Sequence, residues 1–473
     1  MTITFDTIPG STRKPGQYLE FNTRMAVRTL PGNLQTMLII APLMKSGSAK
    51  PLELHNVFSD DEAASLFGAG SLAHLMARAA ILSYDYLQLQ VIGLEEHSAG
   101  QAATGTITLT GPATSSGTVS LWVSNMRIDV AIDSQDSADT MHTALAAAIN
   151  AESLLPVTAA VTDSGGKKVT LTAKQKGAFG NDILLSVACS AAGVTVSPQA
   201  MSGGQNNPDI QPALDAVFAA GHNIIAAPFS DQATLSALRE HLKKTGGAME
   251  QRGAVGAAGW PGTLSTGTTL AGQINDGRTT LAWHPGSRCL AGVIAAAYGA
   301  VIASEEDPAR PLNTLPLAGL DVTPLTARAG RKEQENALHN GLTPLEIGPG
   351  DVVQIVRAIT TYTRNPQNVE DPALLDLTTI RTLDYTRKAC RERIALRFPR
   401  EKLHDRTRVK VKSELLDVLL KLEEEEILEN VMANKNKLLV ERNGKDANRL
   451  DAVIPADVVN GLHVFAGRVD LYL

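Results

Sequence analysis

Three spacings of apolar and polar residues follow one another along the chain, and each predicts a different kind of element. Residues 35–43 contain TMLIIAPL and residues 86–94 read YLQLQVIGL. Nearly unbroken apolar runs of this length fit strands of a parallel sheet covered on both faces. Between them, 57–80 carries Ala63, Leu66, Leu72, Leu75 and Met76 at helical spacing. Gly68-Ala69-Gly70 splits this stretch into two short helices, and Ser59 with Glu62 three residues on forms a capping box at the first. The same grammar resumes after 208: strand 223–228 (NIIAAP), amphipathic helix 231–244, small-residue strand 254–260, helix 266–276, strand 279–283. A helix over 288–304 is apolar on most sides and therefore buried. Alternating strands and helices predict a mostly parallel sheet with helices on both faces.

A different spacing occupies the middle. From about Ser98 to Asn207 the text turns rich in Thr, Ser, Gly and Val, with GTITLTG, GTVSLWVS, MRIDVAI, KKVTLTA and GVTVSP as short runs of period two between turn residues. One helix, 138–151, interrupts them behind Asp136 or Ser137. The stretch predicts a β-rich α+β or sandwich-like domain inserted in the α/β core, with its ends close together.

Beyond 307 the pattern predicts a polar helix at 330–340, strands at 343–347 and 352–358, and helices at 377–397 and 414–430. The first of those last two helices places Leu383, Cys390 and Ile394 on its apolar stripe. A strand over 437–442 follows. The closing HVFAGRVDLYL alternates again: Val469, Leu471 and Leu473 point one way, Arg468, Asp470 and Tyr472 the other, with Val464 just before. At the opposite end Ile3 and Phe5 alternate with Thr2, Thr4 and Asp6, and prolines and glycines from Pro9 to Gly32 forbid a long helix. A lone strand is unstable in water, so both ends must join a sheet, their own or a neighbour's. The whole reads as an N-terminal arm (1–35), a core in two parts (36–96 and 208–460), an inserted domain (97–207) and a C-terminal arm strand (461–473). Pro31-Gly32 and Asn460-Gly461 are the expected hinges.

Composition narrows the chemistry. The 473 residues have a net charge of −6 and a pI near 6.0, with no footprint for nucleic acid or an acidic membrane. Cys189, Cys289 and Cys390 match no zinc or redox spacing. No signal-peptide pattern opens the sequence, and the longest apolar stretch is too short to span a bilayer. A soluble protein made in a reduced cytoplasm is expected. A doubly wound sheet raises the prospect of a nucleotide enzyme, yet no P-loop, GxSxG elbow or HExxH is present. Gly253, Gly256 and Gly259 are spaced GxxGxxG inside or beside a strand and read as packing positions. His222 and His284 flank strands and read as structural; Asp60-Asp61-Glu62 lies in a helix's first turn, where acids favour the dipole. No catalytic residue, metal site or cofactor is expected.

One asymmetry stands out: 381–412 holds 12 Lys and Arg against 4 Asp and Glu, and 413–473 holds 7 against 12. The plain reading is solvated helix faces. The sharper one is complementary surfaces between subunits, or a basic face carrying Arg387, Lys388, Arg391 and Arg393 turned toward a partner.

Several stretches, in order, resemble the contractile tail sheath proteins of Mu-like bacteriophages. They are PGQYLEF at 15–21 with NTRMAVRTLPG and TMLIIAPL, SDDEAASLFGAGSLAHLMARA at 59–79, the inserted text from GTITLTG to VTLTAKQKGAFGNDILL, and HVFAGRVDLYL. The resemblance implies a structural protein of the virion tail, assembled in the host bacterial cytoplasm. It implies stacked six-subunit rings in a helical homopolymer, joined through exchanged terminal arms. The tail tube, baseplate and tail terminator proteins are the implied partners, and contraction drives the tube through the host envelope. On this reading Arg387, Lys388, Arg391 and Arg393 would face the tube. The rival from another class is an α/β nucleotide- or small-molecule-binding enzyme with a β accessory domain.

Overall fold

A computed structural model describes residues 14, 16–17, 30–163 and 167–472. Ile3, Phe5 and Leu473, with most of the expected N-terminal arm, lie outside the described residues. The chain forms two compact units. Leu34–Tyr385 with Val458–Leu473 is the larger, and Thr386–Asp457 with the described residues before Leu34 is the smaller.

In the larger unit the apolar run at 35–43 forms β1 (Thr36–Pro42), and a three-residue strand that no periodicity announced, β2 (Leu54–Asn56), follows. Two helices come next, α1 (Asp60–Phe67) and α2 (Leu72–Ser83), then β3 (Gln88–Leu94). The capping box is present in a stretched form. Ser59 Oγ accepts from Glu62 N–H, while the Glu62 carboxylate accepts from Phe58 N–H, one residue before the cap.

The inserted stretch supplies β4 (Thr104–Thr110), β5 (Gly117–Val123), β6 (Met126–Ile132), α3 (Ala138–Ala151), β7 (Val157–Thr162), β8 (Lys168–Ala173), β9 (Leu185–Cys189) and β10 (Thr195–Ser202). They make a four-stranded sheet in the order β10-β4-β8-β7 and a three-stranded sheet β6-β5-β9, all antiparallel, around α3. β7 and β9 escaped the sequence reading because their buried positions do not alternate cleanly.

The chain then returns through α4 (Gln211–Ala216), β11 (Ile224–Ala226), α5 (Gln232–Thr245), β12 (Val255–Trp260), α6 (Leu264–Ile274), β13 (Thr279–Trp283), α7 (Ala291–Ser304), α8 (Arg331–His339), β14 (Thr343–Gly348) and β15 (Val352–Ile355). The main sheet runs β15-β14-β13-β12-β11-β1-β3-β2, parallel from β14 to β3 with one antiparallel strand at each edge. Alternate residues of β1 enter two cores: Met37, Ile39 and Ala41 join α2 and α7, while Leu38 and Ile40 join α4, α5 and α6. That two-sided burial is why β1 is apolar at every step. α7 is buried from Gly292 to Ala303, and its Gly299 lies so close to β1 that an added Cβ would stand 2.8 Å from Met37 Cε.

α9 (Leu377–Arg397) begins in the larger unit and ends in the smaller. The smaller unit adds α10 (Asp405–Glu424), α11 (Val431–Asn434) and a hairpin of β16 (Leu439–Arg442) and β17 (Leu450–Val453). Two helical expectations are corrected. α10 starts nine residues before 414, capped by His404, because Thr407 and Val411 extend the stripe of Leu415, Val418, Leu419 and Leu422 through the basic stretch. Leu383 of α9 is 37% exposed, and the buried side is made by Ile380, Tyr385, Ala389 and Cys390. Basic residues had masked the first stripe, and the polar Thr-rich face of α9 the second.

Candidate assembly surfaces

In open α/β sheets, ligands bind in the crevice beyond the carboxyl ends of the strands, near helix N-termini. Here residues of the insertion border that place: Phe179, Asn181 and Asp182 face the segments after β11 and β12 across a cavity of about 380 Å³. The Gln175 side chain, 3% exposed, accepts from Leu72 N–H at the first turn of α2 at 2.7 Å. It donates to the Pro42 carbonyl at the end of β1 at 2.9 Å. Lys174 Nζ donates to the Ala69 and Ser153 carbonyls, and burial lowers its pKa. Phe179 stacks on Phe229 just beyond β11, with ring centroids 5.3 Å apart. Arg288, before α7, lies over the Trp122 ring of β5. These contacts fasten the insertion to the core beside the carboxyl ends of β1 and β11, next to that cavity.

The other candidate groups are structural. A Cβ on Gly259 would lie 2.4 Å from the Ala291 carbonyl, and one on Gly256 would meet Leu238 and Leu242 at 2.8 and 2.9 Å. These glycines admit α7 and α5 to opposite faces of β12. His222 Nε2 bonds Gln90 Oε1 at 2.7 Å, and burial, with His241 nearby, pulls its pKa down to about 4. His284 is buried against the Asp321 carbonyl, and burial lowers its pKa too. Asp60 does more than favour a helix dipole. Its carboxylate accepts from His74 Nε2 at 2.8 Å and from Arg78, tying α1 to α2. His74 Nδ1 accepts from Gly70 N–H, so the ring is neutral, and burial lowers its pKa. Among the described residues no group of three His, Cys, Asp or Glu could hold a metal ion, and no helix is long and apolar enough to cross a membrane.

What stays unsatisfied lies at the end of the sequence. The last point of attachment is at Gly461–His463. Gly461 lies against Pro311; His463 Nδ1 accepts from Asn313 Nδ2 at 3.0 Å, and its Nε2 faces Asp376 at 3.5 Å. From Val464 to Tyr472 the backbone has no ladder partner among the described residues, and Val464, Phe465, Val469, Leu471 and Tyr472 are exposed, Val469 at 98%. Arg468 Nε donates to Asp470 Oδ1 at 2.6 Å, which puts the two on one side as a period of two requires.

The β16–β17 hairpin of the smaller unit has two open edges among the described residues, and Leu439, Val453 and Ile454 are exposed on or beside it. The basic stretch is less of a patch than its sequence promised. Arg381 is buried and donates to the Glu305 carbonyl; burial lowers its pKa to about 10 despite Glu305 and Asp307 nearby. Arg393 is 4% exposed, within 3.2 Å of Glu414 and 2.6 Å of Asp417. Lys388 Nζ donates to the Gly32 carbonyl, Arg387 is half-buried, and Arg391 is exposed. Composition could not tell a neutralised cation from a presented one.

Comparison with known proteins gives one consistent likeness. Residues 203–361 match the family described as the phage tail sheath protein central domain, and 369–472 the phage tail sheath C-terminal domain. A Mu-like prophage tail sheath protein of Haemophilus influenzae is 33% identical over the full length of both chains. A sheath tail protein of Desulfitobacterium hafniense has a similar fold, with a TM-score of 0.53, 15% identity, and 94% of this chain and 97% of that one covered. A chain of the anti-feeding prophage baseplate superposes with a TM-score of 0.52 at 10% identity, covering 98% of this chain and 100% of that one.

Proposed function

The chain belongs to the phage tail sheath family, a structural component of the virion tail and not an enzyme; from that premise we propose that it polymerises as stacked rings around an inner tube and contracts to drive the tube through the host envelope. Copies of the chain are linked by strand exchange. Residues 464–473 of one subunit add to an open edge of the β16–β17 hairpin of another, and the N-terminal arm, with Ile3 and Phe5 inward, adds at the same junction. The carrying observation is that one chain holds both an exposed, alternating segment and a two-stranded hairpin, each without a further ladder partner among the described residues. Such β-augmentation takes strength from backbone bonds and register from alternate side chains. Each bond contributes about 0.5–1.5 kcal/mol net, and repetition at every subunit makes a continuous net. A head-to-tail contact of this kind builds an open helix.

Within this reading the core and its fastened insertion move as a body while arms stay paired, flexing near Pro31-Gly32 and just after His463, since Gly461 of the expected hinge lies against Pro311. The tube protein faces Arg387, Lys388 and Arg391; Arg393, 4% exposed against Glu414 and Asp417, is left out. Baseplate and terminator proteins cap the two ends. Removing 464–473 tests the linkage: the expected product is a folded protein that makes no sleeves or rings by negative-stain microscopy. Sleeves of normal length would refute it. A particle that stays small even with the arm intact, and gains thermal stability with a nucleotide, would favour the α/β enzyme instead.

A further inference from the structure

α10 carries its charges the wrong way round for a helix standing in water. Its first two turns hold Arg406, Arg408, Lys410 and Lys412 against Asp405, and its end holds Glu423 to Glu426 against Lys421. A helix favours acids at its N-terminus and cations at its C-terminus, so both ends oppose the macrodipole. Glu426 adds a second violation: with φ of 56° it occupies the left-handed position past the helix end that glycine or asparagine fills at least cost. Internal pairing does not account for either cluster. Among the described residues Arg406 and Arg408 are exposed with no ion pair, and so are Glu424, Glu425, Glu426 and Glu429. Each cluster also holds one exposed apolar side chain. Val409 is 64% exposed between the cations, and Met432 is 57% exposed beside Val431, whose N–H donates to Glu423. Opposite charge at the two ends, with an exposed apolar side chain at each, gives α10 the complementarity that fixes register between subunits.

We infer that the two ends of α10 are the halves of one contact between copies: the basic end of one subunit (Arg406, Arg408, Val409) docks on the acidic end of the next (Glu424–Glu426, Glu429, Met432). The partner is a second copy because the opposite charge is supplied by the same helix. The ends lie about 27 Å apart at 1.5 Å per residue, so one subunit cannot pair them itself. The contact is head-to-tail, as an open polymer needs, and it sets register where backbone bonding alone would tolerate slippage. This inference rests on the polymerising role proposed above, at a surface separate from the exchanged arms.

The test uses full-length protein without tube, read by sedimentation and microscopy. R406E/R408E and E424K/E425K are each expected to raise the concentration needed for polymerisation at least tenfold. Both should keep a thermal midpoint no lower than the unaltered chain, since each change relieves a dipole conflict. Combining all four substitutions restores complementary ends with reversed sign, and polymerisation should return to within about threefold of the unaltered protein, by the tenfold-per-1.4 kcal/mol scale of binding. Pair variants that polymerise normally, or a fourfold variant as defective as either pair, would overturn the contact. If the unaltered chain fails to polymerise at all, the sheath reading falls first and the contact with it.

Discussion

The inserted domain and the last ten residues both stand outside the eight-stranded core, yet they are attached in opposite ways. The insertion reaches the core through Gln175, Lys174, Phe179 and Trp122, and each contact pairs a buried polar group or covers an aromatic face. From Val464 to Tyr472 the terminal segment makes no ladder among the described residues, and most of its apolar side chains are exposed. A part fastened by satisfied buried groups must move with what it is fastened to. A part left unsatisfied is held for a partner, and the free energy of pairing it belongs to assembly, not to folding.

The largest effect should come from cutting the fastening. Gln175→Ala leaves Leu72 N–H and the Pro42 carbonyl buried without partners, at about 1–3 kcal/mol for each group, so urea unfolding should show a loss of about 2–6 kcal/mol. A loss under 1 kcal/mol would mean that water replaces the amide and the insertion is only loosely seated. Acid should act within the core to which the insertion is fastened, where His222 bonds Gln90 of β3. His222 is neutral when folded, its pKa near 4. The unfolded chain therefore binds a proton from about pH 6.5 downward that the folded chain refuses. Stability is complete above that value and falls as pH drops toward 4, by about 3 kcal/mol at 1.36 kcal/mol per unit. His222→Gln should flatten that slope in unfolding titrations between pH 7.5 and 4.5; an unchanged slope would assign the acid sensitivity to other groups. The smallest effect belongs to the free part. Removing 464–473 should change the unfolding free energy of the subunit by no more than about 0.5 kcal/mol, and a larger loss would show that the segment is packed on its own molecule.

Much of the fold was legible because burial writes itself into spacing. β1 and the second half of β3 lie between two helical layers and are apolar at successive steps, α7 is apolar all round, and Ser59 and Ser137 announced their helices by capping chemistry. β2, β7 and β9 were missed because short or partly exposed strands have no stripe to read. Leu383 misled because an apolar residue at helical spacing looks the same whether a neighbour covers it or not.

For function, the divide runs between what one residue type implies and what its surroundings allow. The sequence alone determined the absence of a nucleotide or metal motif, the ordered likeness to sheath proteins and the alternation of the terminal segment, since each depends only on which residues follow which. Only the tertiary structure decided that Gln175 fastens the insertion at the end of β1 and that Arg381 and Arg393 are spent inside the molecule. It also decided that His463 is held by Asn313, while Val464 to Tyr472 find no ladder partner among the described residues. Those outcomes depend on which distant groups lie within about 3 Å of one another, the range in which a hydrogen bond forms, and no local pattern encodes that distance.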